Sequence, residues 1–150
     1  AKEHGLVVTS AFINWEILGN ATPKNRPTIE AVIEKATKHQ IKYLVFGYVG
    51  KGHRETVEQY QAMADRSNRA GELCKAAGIQ LCYHHHSFEF QSLSGGKSGF
   101  QVLTERLDPK LAAFEIDIFW AAIGGQDPIA LLKQLKGRVA QVPLKDLLPK

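Results

Sequence analysis

Three consecutive histidines followed by a carboxylate make Gln80 to Phe90, QLCYHHHSFEF, the stretch best equipped for chemistry. In a strand, successive side chains point to opposite faces, so Cys82, His84 and His86 share one face and Leu81, Tyr83 and His85 the other. Two imidazoles then converge at one strand end, and Glu89, in the loop beyond, can lean back over it. Imidazoles and a carboxylate together can ligate a divalent cation or pass a proton; the same residues can also form a plain hydrogen-bonded histidine cluster. A second group lies in LAAFEIDIFW, read as a strand in which Phe114, Ile116 and Ile118 face one way and Glu115, Asp117 and Phe119 the other. A third lies in Val139 to Leu144, where Gln141, Pro143 and the following Lys145 share a face.

The elements that position these groups follow from periodicity and end signals. Leu6 to Phe12 and Tyr43 to Gly47 are short β-rich runs, and Gln80 to His86 is the central strand. Thr28 to His39 carries Ile29, Val32, Ile33 and Ala36 on one helical face. A longer helix runs from Glu55 to Ala77 and ends at Gly78. Ser98 with Gln101 makes a capping box for the helix Gly99 to Leu107, and Asp127-Pro128 opens the helix Ile129 to Lys136. Gly50, Lys51, Gly52 and His53 lack phosphate-loop spacing and read as a flexible turn. The opening AKEHGL reads as a helix end closed by Gly5, as if cut from something longer.

Strands alternating with helices predict a parallel sheet and the α/β class. A doubly wound sheet needs strands apolar on both faces, which the strand with Glu115 and Asp117 is not. One aliphatic face and one face of acids, histidines, Gln141 and Lys145 fit the interior of a (β/α) TIM barrel near its C-terminal mouth. A full barrel takes roughly 250 residues, so this 150-residue chain is expected to supply one partial barrel domain of about five strands out of eight. Its raw strand edges invite closure by self-association, hence a homo-oligomer. The net charge of +4, from 19 basic and 15 acidic residues, includes no basic block, which argues against nucleic acid. No apolar run reaches the roughly 18 residues of a membrane span, and no signal-peptide pattern opens the chain. Cys74 and Cys82 form no CxxC pattern, so a reduced, cytoplasmic protein is expected.

LCYHHHSFEF, then FEIDIFW followed by GQDPIALLKQLKGR, then VAQVPLKDL, occur in an order that resembles the sugar phosphate isomerase/epimerase family of the xylose isomerase-like barrel superfamily. The resemblance covers essentially the whole chain, from about the third to the seventh barrel strand. It implies a metal-dependent isomerase or epimerase, or a related dehydratase or lyase, acting on a sugar or keto-sugar through a metal-stabilised enediolate. The metal would be divalent: manganese, cobalt, magnesium or zinc. Asp117 matches one ligand acid; Glu89 is favoured for another, with His84 and His86 as alternatives. The resemblance also implies His84 or His86 for proton transfer, Lys145 for a developing oxyanion, and Trp120 and Glu115 for the substrate. Trp120 can equally be rim packing, and Glu115 can simply pair with a neighbouring cation.

One departure stands out. Where the family reads V-H-L-K-D on its seventh strand, with the histidine a ligand, this chain reads Val142-Pro143-Leu144-Lys145-Asp146. Proline has neither a metal-binding atom nor a backbone N–H for the ladder. The family's last acid belongs to an eighth strand outside the resemblance. An impaired site that does not retain its metal is therefore expected, with a catalytically inactive, self-associating barrel fragment as the alternative.

Overall fold

The structure is a computed structural model and describes residues 2–19 and 26–145. Five strands, β1 (Ser10–Phe12), β2 (Tyr43–Phe46), β3 (Gln80–His84), β4 (Ala112–Glu115) and β5 (Val139–Gln141), lie side by side in sequence order. Every neighbouring pair is parallel. Between them run α1 (Ile29–Lys38), α2 (Val57–Ala76), α3 (Gly99–Arg106), and then α4 (Ile118–Ile123) and α5 (Pro128–Gln134). Consecutive parallel pairing with a helical crossover at each step is barrel topology, so the chain forms a half-barrel, an incomplete TIM-barrel-like fold. No helix among the described residues is long and apolar enough to cross a membrane.

The helices begin where their caps dictate. The Thr28 hydroxyl accepts the Ala31 amide, and Thr56 with Gln59 forms a capping box at the start of α2. The box expected of Ser98 and Gln101 is present in both directions, at 3.2 and 2.8 Å. Asp127 caps α5 through the Ile129 and Ala130 amides, with Pro128 in its first turn.

The sheet is clothed unequally. Its outer face, with Leu44, Phe46, Leu81, Tyr83 and Phe114, is buried in one cluster with Tyr60, Met63, Cys74 and Leu103 of the helices. Each such side chain taken out of water stabilises the fold by roughly 1.5–3 kcal/mol. Its inner face holds a much smaller apolar cluster, Val45, Cys82 and Ala113. Arg138, at the foot of β5, donates to the carbonyls of Thr104 and Leu107 at the end of α3, so a cation closes the C-terminus of that helix.

The strands are shorter than their apolar runs suggest. β4 stops at Glu115 instead of continuing to Trp120, because the Asp117 carboxylate accepts the amides of Phe119 and Trp120 and starts a helix there. Ile118, Phe119 and Trp120 are therefore helical. β3 ends at His84, which leaves His85 and His86 to the loop that follows. β5 ends at Gln141, two residues before Pro143, whose missing N–H cannot extend the ladder. At the other edge, Leu6, Val7 and Val8 lie exposed ahead of β1 and outside the ladder.

Candidate functional site

His84, Glu115 and Gln141 are the last residues of β3, β4 and β5, and they meet at the C-terminal end of the sheet. The ladder places His84 opposite Glu115. A register shift between Phe114 and Glu115 then brings Gln141, rather than Ala140, opposite Glu115. His84 Nδ1 lies 2.8 Å from Glu115 Oε1, and Gln141 Nε2 donates to Glu115 Oε2 at 3.0 Å. Both His84 and Glu115 are buried.

Asp117 completes the group from the turn after β4. Its Oδ1 is occupied by the Phe119 and Trp120 amides, each at 3.1 Å, which aims Oδ2 toward the other polar side chains. Lys145 Nζ approaches Oδ2 to 2.5 Å, and His84 Nε2 stands 3.8 Å from the same oxygen. The ammonium lies off the line a hydrogen bond requires, so buried Oδ2 has a close ion pair and no directed hydrogen bond. Burial alone would raise the Asp117 pKa, but the Lys145 ammonium and the Trp120 amide outweigh it and hold the carboxyl below its ordinary value. Asp117 is 0 % exposed and Lys145 half exposed, so the lysine is the member of the pair that solvent reaches.

Aromatic rings wall the site. Phe12 meets His84 edge-on at 5.5 Å, and His86 lies 5.1 Å from His84 in a T-shaped arrangement. His86 stacks on Phe88 at 5.2 Å and tilts against Trp120 at 5.5 Å, with exposed Tyr48 against its other side. Burial and the neighbouring His84, His85 and Lys145 push the His86 pKa down to about 4, so His86 is a neutral ring at neutral pH. Its Nδ1 is buried without a partner.

Of the residues singled out by type and spacing, the structure gathers His84, Glu115, Asp117 and Lys145 around one point, with His86 and Trp120 at its rim. Glu89 is engaged elsewhere. It is wholly buried, with Oε1 accepting from the Tyr83 hydroxyl at 2.6 Å and Oε2 from the His86 amide at 2.8 Å. Tyr83 belongs to the outer, helix-facing side of β3, so Glu89 ties the loop down to that layer. Burial pushes its pKa up to about 7 against the pull of those two donors and of Arg54. Asp146 lies outside the described residues.

Two participants have contacts that the sequence reading did not assign. His85 is buried on the outer side, where its Nε2 accepts the Asp117 amide at 3.2 Å and its Nδ1 lies 3.0 Å from the His86 carbonyl. Accepting at Nε2 requires the proton at Nδ1, so His85 is a neutral clamp between the turns after β3 and β4, and burial lowers its pKa accordingly. Only its position in the HHH run hinted at this. Gln141 shared a face with Lys145 by parity, but its pairing with Glu115 depends on the register shift.

No protein-family model matches the chain. An inosose dehydratase of Geobacillus kaustophilus is 31% identical over 94 residues, covering 63% of this chain and 30% of the relative. A solved sugar phosphate isomerase/epimerase of Parabacteroides distasonis superposes with a TM-score of 0.74 at 25% identity, covering 94% of this chain and 52% of that one. The chain is related to the sugar isomerase, epimerase and inosose dehydratase proteins. A solved IolI protein with a bound zinc atom shares the fold at 11% identity and a TM-score of 0.62, over 87% of this chain and 48% of its own. The chain thus spans about a third of the curated relative's length and about half of each solved structure's. Among the described residues, no group of three or more His, Cys, Asp or Glu side chains is arranged to hold a metal ion.

Proposed function

We propose that this chain carries the central strands of the barrel mouth of a sugar isomerase, epimerase or dehydratase, with Asp117 and His84 as its polar centre and a keto-sugar or inosose as ligand. The observation that carries the proposal is His84 held between Glu115 and Asp117 at the C-terminal end of parallel strands, beside the Lys145 ammonium. Ligands of α/β barrels are taken up at that end of the sheet. The names of the Parabacteroides and Geobacillus relatives support this ligand class.

Asp117 Oδ2 and His84 Nε2 fit two positions of a divalent cation's coordination shell, with the remaining ligands to be supplied by water, substrate or further chain. The zinc in the IolI relative supports a metal here, and manganese, cobalt and magnesium suit the same carboxylate and imidazole donors. When bound, such an ion acts as a Lewis acid on a carbonyl or hydroxyl oxygen. Glu89 and Asp117 are the acids that the family resemblance names. The geometry favours His84 over Glu89 as the neighbour of Asp117, because both Glu89 oxygens already have donors.

The side chains have distinct tasks. With His84 Nε2 engaged by the ion, proton transfer at carbon or hydroxyl falls to His86, a neutral ring whose Nδ1 has no partner. Lys145 neutralises Asp117 in the free protein and, reaching solvent, can turn to an oxyanion developing on the ligand. Trp120 and His86 offer ring faces to the apolar side of a sugar, and Glu115 holds His84. Pro143 adds no ligand atom, which is why weak metal retention and impaired turnover are part of the proposal.

The test is calorimetric titration with manganese and zinc, combined with deuterium uptake from heavy water into a keto-sugar. One ion per chain, bound at least tenfold more weakly by Asp117→Asn, with metal-dependent exchange at the carbon beside the carbonyl, is the expected result. Absence of both binding and exchange in a folded chain would overturn it.

A second reading rests on the opposite edge. Val7 is 81% and Phe12 66% exposed, and a groove of about 1230 Å³ runs beside them between β1 and α1. An apolar strand edge of this kind favours association of two copies of the chain, which would make it a self-associating barrel piece rather than a competent catalyst.

A further inference from the structure

We infer that Glu115 and Gln141 are a positioning pair that holds His84 as its Nδ1–H tautomer, so that an unprotonated Nε2 faces Asp117 and the ligand. Gln141 Nε2 donates to Glu115 Oε2 at 3.0 Å, and Oε1 lies 2.8 Å from His84 Nδ1, so both oxygens of the buried acid act as acceptors. That is the bonding of a carboxylate, and a carboxylate can meet Nδ1 only if Nδ1 carries the proton. The remaining ring neighbours of His84, Phe12, His85 and His86, present faces and edges.

The other nitrogen settles the form of the ring. A proton on Nε2 would call for an acceptor, and the nearest carboxylate oxygen, Asp117 Oδ2, is 3.8 Å away, beyond hydrogen-bond reach. That oxygen is already paired with the Lys145 ammonium at 2.5 Å. Nε2 therefore carries a lone pair. Two acceptors, Nε2 and Oδ2, face each other across a gap that suits a ligand bringing its own positive end, a hydroxyl proton or a cation. That use of the gap rests on the function proposed above; the tautomer rests on the geometry alone.

The register shift between β4 and β5 makes the arrangement possible. Without it Ala140 would lie opposite Glu115, and Oε2 would lose its donor. Gln141 thus acts on the ligand at two removes, by fixing Glu115, which in turn fixes His84. Such outer partners of a histidine tune its basicity as well as its direction.

The experiment is long-range ¹H–¹⁵N spectroscopy on protein labelled at histidine nitrogen, with His84 assigned by loss of its signals in His84→Asn. The wild-type chain is expected to show a protonated Nδ1 and an unprotonated Nε2 at His84. Glu115→Ala is expected to release the ring to a mixture or to the Nε2–H form. Glu115→Gln, whose amide oxygen can still accept, is expected to restore Nδ1–H, which a merely structural role for Glu115 would not produce. An Nε2–H or doubly protonated His84 in the wild type, or an unchanged ring in folded Glu115→Ala, would overturn the inference. Should Glu115→Ala not fold, the wild-type spectrum and the Glu115→Gln rescue decide it. Failure of the proposed function shows separately, as absent metal binding and exchange with these spectra unaltered.

Discussion

Glu89 and His85 do at the residue scale what neither polarity nor spacing announces: they are ionisable groups that hold loops in place. Glu89 titrates near 7 in the folded chain against an ordinary value of 4.5, because burial disfavours its charge. Between those two values the folded state binds more protons than the unfolded state. Its contribution to stability is therefore fully present below about 4.5 and is lost as pH rises through about 7, amounting to about 3 kcal/mol at most. His85 and His86 act in the opposite direction, since their folded pKa values are depressed and they cost stability as pH falls below the ordinary imidazole range. Comparison with Glu89→Gln isolates the acid: urea unfolding at pH 5 and pH 8 should show the variant gaining on the wild type as pH rises. An equal pH response in both proteins would refute the assignment. His85→Phe keeps the aromatic contacts with Phe90 and Phe100 but leaves the buried Asp117 amide unpaired. A loss of roughly 1–3 kcal/mol in urea unfolding is expected, and a neutral substitution would show that the amide finds another partner.

At the scale of elements, the turn after each strand decides what the mouth contains. Asp117 is the N-cap of α4 and the acid of the site at once, with one oxygen for each duty. Asp117→Asn keeps a capping oxygen and removes the charge, so near-normal stability with loss of metal binding is expected. Asp117→Ala removes both and should cost a further 1 kcal/mol or about that in chemical unfolding. Equal stability of the two variants would separate the cap from the carboxylate. Gly47, just past β2, is packed so closely on β3 that a Cβ there would strike the His84 carbonyl oxygen and lie 2.8 Å from the His84 Cβ. Gly47→Ala should therefore push the two strand ends apart, destabilise the chain by about 1–3 kcal/mol and shift the His84 ring signals. Unmoved His84 resonances would show that the strand ends absorb the extra carbon without disturbing the site.

For the whole molecule, the half-barrel leaves two strand edges, and the β1 side carries a large apolar groove. The relatives are about twice as long as this chain, and the proposal that two copies meet here concerns the 150-residue chain as it stands. Light scattering at micromolar concentration should show association, and Phe12→Asp, at an exposed site on the inner side of β1, should shift the population to monomer. A wild-type chain that is monomeric across that range would remove the self-associating reading and leave the site proposal standing.

What the sequence by itself determined is local. Alternation aimed His84 and Glu115 to one side of their strands; Ser98 with Gln101 and Asp127-Pro128 opened helices where expected; the repeated strand and helix signals specified a parallel α/β half-barrel. The ends of strands were less legible, since Asp117 reads equally as a strand residue or a helix cap until its oxygen finds the Phe119 and Trp120 amides. Only the tertiary structure decided that Glu89 turns to Tyr83, that His85 clamps the Asp117 amide, and that Gln141 stands opposite Glu115. The physical reason is common to all three. Each depends on register or on the return path of a loop, and these are set by long-range packing of neighbouring strands and helices, to which periodicity within a single segment is blind.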